Sequence, residues 1–70
     1  MREYIKNEVE SLRLKAEVTQ EDLAYGVAVS RQTIIALEKG HYTPSVLLAL
    51  KIALFFKTPV EKIFQISYEK

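Results

Sequence analysis

A small all-α domain of five short helices is the fold predicted by this sequence of 70 residues. Two observations carry that expectation. The chain is 49% apolar and 27% charged with only two glycines and two prolines, a balance that marks a folded chain rather than a disordered one. Helix-starting residues also recur ahead of short segments with helical apolar spacing, and no repeat or linker separates them, so residues 1–70 read as one domain.

The first helix is expected from about Asn7 to Glu17, because Val9, Leu12, Arg13 and Ala16 follow the i, i+3, i+4, i+7 rule. Thr19-Gln20-Glu21-Asp22 restarts the chain: the threonine oxygen can cap the N–H three residues on, and two carboxylates stand in the positive first turn. That second helix presents Leu23, Ala24 and Val27 on one face. Ser30 caps a third helix with Ile34 and Leu37 as its buried edge, and Gly40 ends it by entering the left-handed region without a Cβ penalty. Thr43-Pro44 opens a fourth, with proline at the first helical position, where its missing N–H costs nothing. Thr58-Pro59-Val60-Glu61 suggests a fuller capping box and a short fifth helix through Ile63. Phe64, Ile66 and Tyr68 alternate with Gln65 and Ser67, which favours a short strand that Glu3-Tyr4-Ile5-Lys6 would partner. The two ends would then form a two-stranded β-ribbon; a disordered tail is the other reading of the same residues.

Several classes are excluded early. There is no cysteine for disulfides, and His41 is the sole histidine, so a structural zinc site lacks its ligands; no metal or cofactor is expected. Met1-Arg2-Glu3 opens no apolar signal segment, and an apolar run such as Val46 to Leu50 is far too short to span a membrane. A cytoplasmic protein without a membrane partner is expected. Catalysis is not: His41 has no partner nucleophile, adjacent Glu21 and Asp22 diverge around their helix, and no glycine-rich phosphate loop occurs. The net charge of +1 is uninformative, but its distribution is not. Residues 1–22 carry six acids against four bases, whereas residues 23–60 carry Arg31, Lys39, Lys51 and Lys57 against Glu38 alone. A mild positive field over the middle permits nucleic-acid binding.

The segment from about Gln20 to Lys39 is the most specific. Two helices of about eight residues are joined only by Ala28-Val29-Ser30, with the small Ala24 facing the joint, so they must cross steeply. Such a pair places its second helix in a DNA major groove. With Ile34 and Leu37 turned inward, Gln32, Ala36 and Lys39 face the other way. Arg31 projects from the helix start, where its fork can bond guanine O6 and N7; Gln32 can pair adenine, and Ala36 can pack a thymine methyl.

Thr19-Gln20-Glu21-Asp22-Leu23-Ala24, Val29-Ser30-Arg31-Gln32-Thr33-Ile34, Leu37-Glu38-Lys39-Gly40 and Tyr42-Thr43-Pro44-Ser45 closely resemble the Cro/phage-repressor helix-turn-helix family. The resemblance runs from about Asn7 to Phe64. It implies a lambda-repressor-like domain that binds double-stranded DNA as a transcriptional regulator, a repressor acting as a homodimer on an inverted-repeat operator. It implies base contacts from Ser30, Arg31, Gln32 and Ala36, and phosphate contacts from Gln20, Thr33 and Lys39, with Gln20 also bracing the recognition helix. Arg13 and Glu38 fall where the family often forms a buried ion pair. In two places the sequence departs from the family. The turn position usually held by glycine is Ala28, which costs on the order of 1 kcal/mol or more if left-handed, while Gly26 lies inside the second helix. Ile35, near the groove-facing side, is read as an exposed isoleucine. The same fold also serves protein-interaction modules such as antitoxins or transcription adaptors, and this remains the alternative function.

The fourth helix is apolar all round. Val46, Ala49, Leu50, Ala53 and Phe56 are expected to face inward, with Leu47, Leu48, Leu54 and Phe55 on the other side and Lys51 the single charge between Ser45 and Phe56. A helix of this kind is normally buried on every side, so a dimerisation region is expected over about 45–68. Its interface residues would be Leu47, Leu54, Phe55, Phe64 and Ile66. Cover by the fifth helix and C-terminal segment of the same chain is the alternative.

Overall fold

The structure is a computed structural model and describes residues 2–69. It has the expected five helices, with the two ends of the chain joined in a ribbon: β1 Arg2–Asn7, α1 Val9–Lys15, α2 Gln20–Gly26, α3 Arg31–Glu38, α4 Val46–Phe56, α5 Val60–Ile63 and β2 Phe64–Glu69. The strands pair antiparallel, with Ile5 opposite Ile66 and Asn7 opposite Phe64. The alternation over Phe64–Tyr68 thus falls on a paired strand.

The helix starts follow side-chain chemistry. Thr19 Oγ1 accepts from the Asp22 N–H at 3.0 Å and the Asp22 carboxylate accepts in return from the Thr19 N–H, a complete capping box. Ser30 Oγ accepts from the Thr33 N–H at 3.2 Å. The start of α4 differs from the expectation built on Pro44. Ser45 is the cap, accepting from the Leu48 N–H at 3.1 Å, and Pro44 stands one residue before it. A hydroxyl can satisfy an orphan N–H, and a proline ring cannot. At α5 the anticipated capping box does not form: the Thr58 hydroxyl instead donates to the Phe56 carbonyl at 3.0 Å. The first helix is also shorter than expected, because Asn7 ends β1 and Glu17 is left-handed.

Left-handed residues close four helices. Glu17, Ala28, Gly40 and Lys57 have φ of 58°, 60°, 80° and 52°. In each case its N–H and that of the next residue turn back onto the preceding turn, as with Gly40 to the Leu37 carbonyl and His41 to that of Ala36. This is the Schellman arrangement. Only one of the four is glycine, so the other three stops were invisible to a glycine-based reading.

The core is formed by Val9, Leu23, Ala24, Val27, Ile34, Leu37, Leu48, Ile52 and Ile63. Here the expected inward face of α4 needs correction. Leu48 and Ile52 enter the core, whereas Val46 and Leu50 are exposed. Where every position is apolar, periodicity gives no phase, and the phase is set by the Ser45 cap and the shape of the core. Phe55 lies across Gly26: a Cβ built at Gly26 would meet the ring at 2.5 Å. The glycine inside α2 thus admits an aromatic ring from α4, which also meets Phe56 edge-on at 5.0 Å between centroids.

This contact predicts a double-mutant coupling. Gly26→Ala should stabilise a Phe55→Ala background by about 0.5–1 kcal/mol through helix propensity. In the wild-type background that gain should disappear, because the ring must move. Urea denaturation of the four proteins measures the cycle, and additive effects would show that the ring does not occupy the glycine.

Candidate nucleic-acid interface

Helix α3 is held from behind by a buried charge. Arg13 of α1 donates from Nε to Glu38 Oε2 at 2.7 Å and from Nη2 to Oε1 at 3.2 Å. Its Nη1 donates to the Val18 carbonyl at 3.0 Å. Glu38 Oε1 also accepts from Gln20 Nε2 at 3.1 Å. The side chains of Arg13 and Glu38 keep only 10% and 4% of their exposure. The hydrogen bond to Glu38 raises the arginine above its ordinary value; burial opposes this, and the charges of Glu38 and Glu10 reinforce it. The expected pair is therefore present in the geometry, with the expected brace from Gln20. The half-buried Gln20 thus has its amide nitrogen engaged in that brace.

The residues expected to read DNA occupy one side of α3. Arg31, Gln32 and Lys39 are exposed, and Thr33, Ile35 and Ala36 are half-buried. Ile35 is thus not the exposed isoleucine anticipated. By helical spacing it lies between Arg31 and Lys39 on the outer side, yet is half-covered. Ser30 and Thr33 are mutually engaged through their hydroxyls at 3.0 Å, which fixes the start of the helix. Among the described residues, the Arg31 and Lys39 side chains enter no ion pair. One face of α3 is therefore locked and the opposite face is free.

The orientation of that free face depends on the turn. Ala28 is left-handed, as the family's usual glycine would be, and the Val29 N–H returns to the Ala24 carbonyl at 3.0 Å. The short α2–α3 turn is thus made with an alanine in the left-handed position. Sequence reasoning missed Asn7. Its amide donates to the Leu37 carbonyl at 3.0 Å while its oxygen accepts from the Val9 N–H at 3.1 Å. An asparagine two residues before a helix was the available signal.

Comparison with known proteins agrees with this geometry. The helix-turn-helix family model matches residues 9–63, which include α1 to α5. The chain belongs to the helix-turn-helix family. Members of this family are transcriptional regulators rather than enzymes. One similar protein is an HTH-type transcriptional regulator of Methanocaldococcus jannaschii, 55% identical over 86% of this chain and 91% of its own length. Another is the cryptic phage CTXphi transcriptional repressor RstR of Vibrio cholerae, 30% identical over 81% of this chain and 51% of the relative. The solved structure of the transcriptional regulator VanUg superposes with a TM-score of 0.79, covering 99% of this chain and 92% of that one. At 20% identity this last likeness is one of fold, and it extends over the terminal ribbon. Among the described residues of this helix-turn-helix protein, no cluster of His, Asp and Glu is arranged to hold a metal, and no helix is long and apolar enough to cross a membrane.

The buried pair makes a stability prediction. Arg13→Met leaves Glu38 charged and enclosed, a defect that costs about 3–5 kcal/mol. Lys15→Met, on the exposed side of the same helix, should stay within about 0.5 kcal/mol of wild type. Chemical denaturation distinguishes them, and equal small losses would mean that the pair is solvated in solution.

Proposed function

We propose that this chain is a sequence-specific double-stranded DNA-binding repressor, acting as a homodimer with α3 in the major groove of an inverted-repeat operator. The observation that carries the reading is the division of α3: a buried, hydrogen-bonded inner edge and an outer side presenting Arg31, Gln32, Ala36 and Lys39. A helix fixed in this way can offer side chains to base edges without first ordering itself. Arg31 and Gln32 supply two-pronged partners for guanine and adenine, Ser30 a further polar contact, and Ala36 a surface for a thymine methyl. Lys39, Thr33 and the start of α2 at half-buried Gln20 position the domain on phosphates. The likeness to a phage repressor supports repression, which needs no more than occupancy of an operator.

The homodimer is supported by α4. Leu47 and Leu54 are 65% and 78% exposed, with Val46 and Leu50 also open. Beside them lies an apolar groove of about 510 Å³ between α4 and the start of α5, lined by Leu50, Ala53, Leu54, Lys57, Thr58, Pro59 and Val60. An uncovered apolar helix face next to a groove suits a two-fold contact with a second copy. Phe55 and Phe64 contribute less to that face, since Phe55 packs on Gly26 and Phe64 is half-buried against the core of its own chain. Ile66 is exposed on the ribbon and extends the surface. Such a dimer sets two recognition helices about 34 Å apart, one turn of DNA.

Two experiments test this. On its preferred duplex, Arg31→Ala and Gln32→Ala should each lose about 1–3 kcal/mol and relax the sequence preference. Lys39→Ala should weaken binding to every duplex and flatten the salt dependence. Wild-type binding by Arg31→Ala would remove α3 from base readout. Separately, light scattering at micromolar concentration should show a dimer for wild type and a monomer for Leu47→Glu/Leu54→Glu; a monomeric wild type, or a dimeric double variant, would end the two-fold assignment.

A further inference from the structure

The terminal ribbon and the reading helix meet at one side chain. Asn7 is the last residue of β1, paired with Phe64 of β2. Its carboxamide oxygen caps α1 at the Val9 N–H, and its amide nitrogen crosses to the Leu37 carbonyl in the last turn of α3. That carbonyl also accepts from the Gly40 N–H at 3.0 Å, within the motif that ends α3. The neighbouring Glu8 N–H donates to the Ile63 carbonyl at 2.9 Å, so the base of the ribbon is itself anchored between α1 and α5. Asn7 is therefore held by its strand pairing and by Val9, next to an anchored Glu8, before it reaches α3.

We infer that Asn7 is a positioning residue for DNA recognition, fixing the C-terminal end of the reading helix to the base of the terminal ribbon. Glu38 fixes the same turn through Arg13 and Gln20, and Leu37 fixes it through the core. These attachments leave the start of α3 to its own Ser30 cap. A peptide carbonyl cannot swing without rotating the helix end that carries it, so a bond at Leu37 restrains the rotation of α3 about its axis. Rotation is the motion that moves Arg31, Gln32 and Ala36 away from base edges. The amide geometry of asparagine suits both tasks, because one group must accept at Val9 while the other donates at Leu37. No other side chain of the same size and charge offers an acceptor and a donor in that way.

The inference rests on the reading of α3 as the base-reading helix, and the test separates the two. Asn7→Asp keeps the acceptor for Val9, even favourably at a helix start, and loses the donor to Leu37. Asn7→Ser is the second variant, since its short hydroxyl can cap Val9 but cannot span to α3. For wild type and both variants, amide hydrogen exchange is followed in the free protein. Affinity is measured for the preferred duplex and for a scrambled duplex of equal length. Asn7→Asp should keep the Val9 amide protected, speed exchange at Gly40 and His41, and lower the ratio of specific to non-specific affinity roughly tenfold. Binding to the scrambled duplex should be nearly unchanged. Asn7→Ser should shift the ratio in the same direction. If wild type discriminates between the duplexes and both variants discriminate equally well, Asn7 is only a cap and the inference fails. If wild type does not discriminate, the base-reading role of α3 falls, and the role of Asn7 falls with it.

Discussion

The fold depends on a buried ion pair that has no reason to exist unless every polar atom in it is satisfied. Taking an arginine and a glutamate out of water costs several kcal/mol per ion. The return comes from geometry. Arg13 spends Nε and Nη2 on Glu38 and Nη1 on the Val18 carbonyl, and Glu38 takes a further hydrogen bond from Gln20. Among the described residues no buried side-chain polar atom lacks a partner. Through this one cluster α1, the turn after it, the start of α2 and the end of α3 become mutually dependent. Helices of seven or eight residues are not stable alone. Here each receives its position from the others.

The turns show the same economy. Four helices end in the left-handed region, and three of them do so with Glu17, Ala28 or Lys57. Each such residue carries a penalty of roughly 1–2 kcal/mol relative to the right-handed form. The returning N–H groups and the burial of the next residue offset it. Val29, immediately after Ala28, packs against the core, and the turn is drawn into its left-handed form by that packing. This explains how the α2–α3 crossing persists with an alanine in place of the family's usual glycine.

The sequence was most legible where one residue type has one physical job. Thr19, Ser30 and Gly40 marked their helix ends, and the alternation of Phe64, Ile66 and Tyr68 marked a strand. Leu23, Ala24, Val27, Ile34 and Leu37 were identified as core by spacing alone. The reading failed where several residues could perform one task. The fourth helix was expected to open on Thr43-Pro44, but its cap is the Ser45 hydroxyl. In α4 nearly every side chain is apolar, so Leu48 and Ile52 could not be distinguished from Val46 and Leu50 as the inward pair. Gly26 looked like a local defect, since its meaning lies in the distant ring of Phe55. Asn7 carried a local signal just before α1, but its partner at Leu37 is also distant along the chain.

On the outer side, the charge is modest for a nucleic-acid partner. On the proposed function, Lys39 is the one charged phosphate contact of each domain, so non-specific attraction is weak and two domains acting together gain most from a rigid spacing. A fixed helix angle and an uncovered α4 face are complementary means to that end. The most direct measurement is selection of binding sites from random duplex DNA by the purified protein, followed by sequencing. Enrichment of an inverted repeat whose half-site centres lie about one helical turn apart is the expected result. Recovery of no preferred sequence, or of a single half-site without two-fold symmetry, would contradict the assignment.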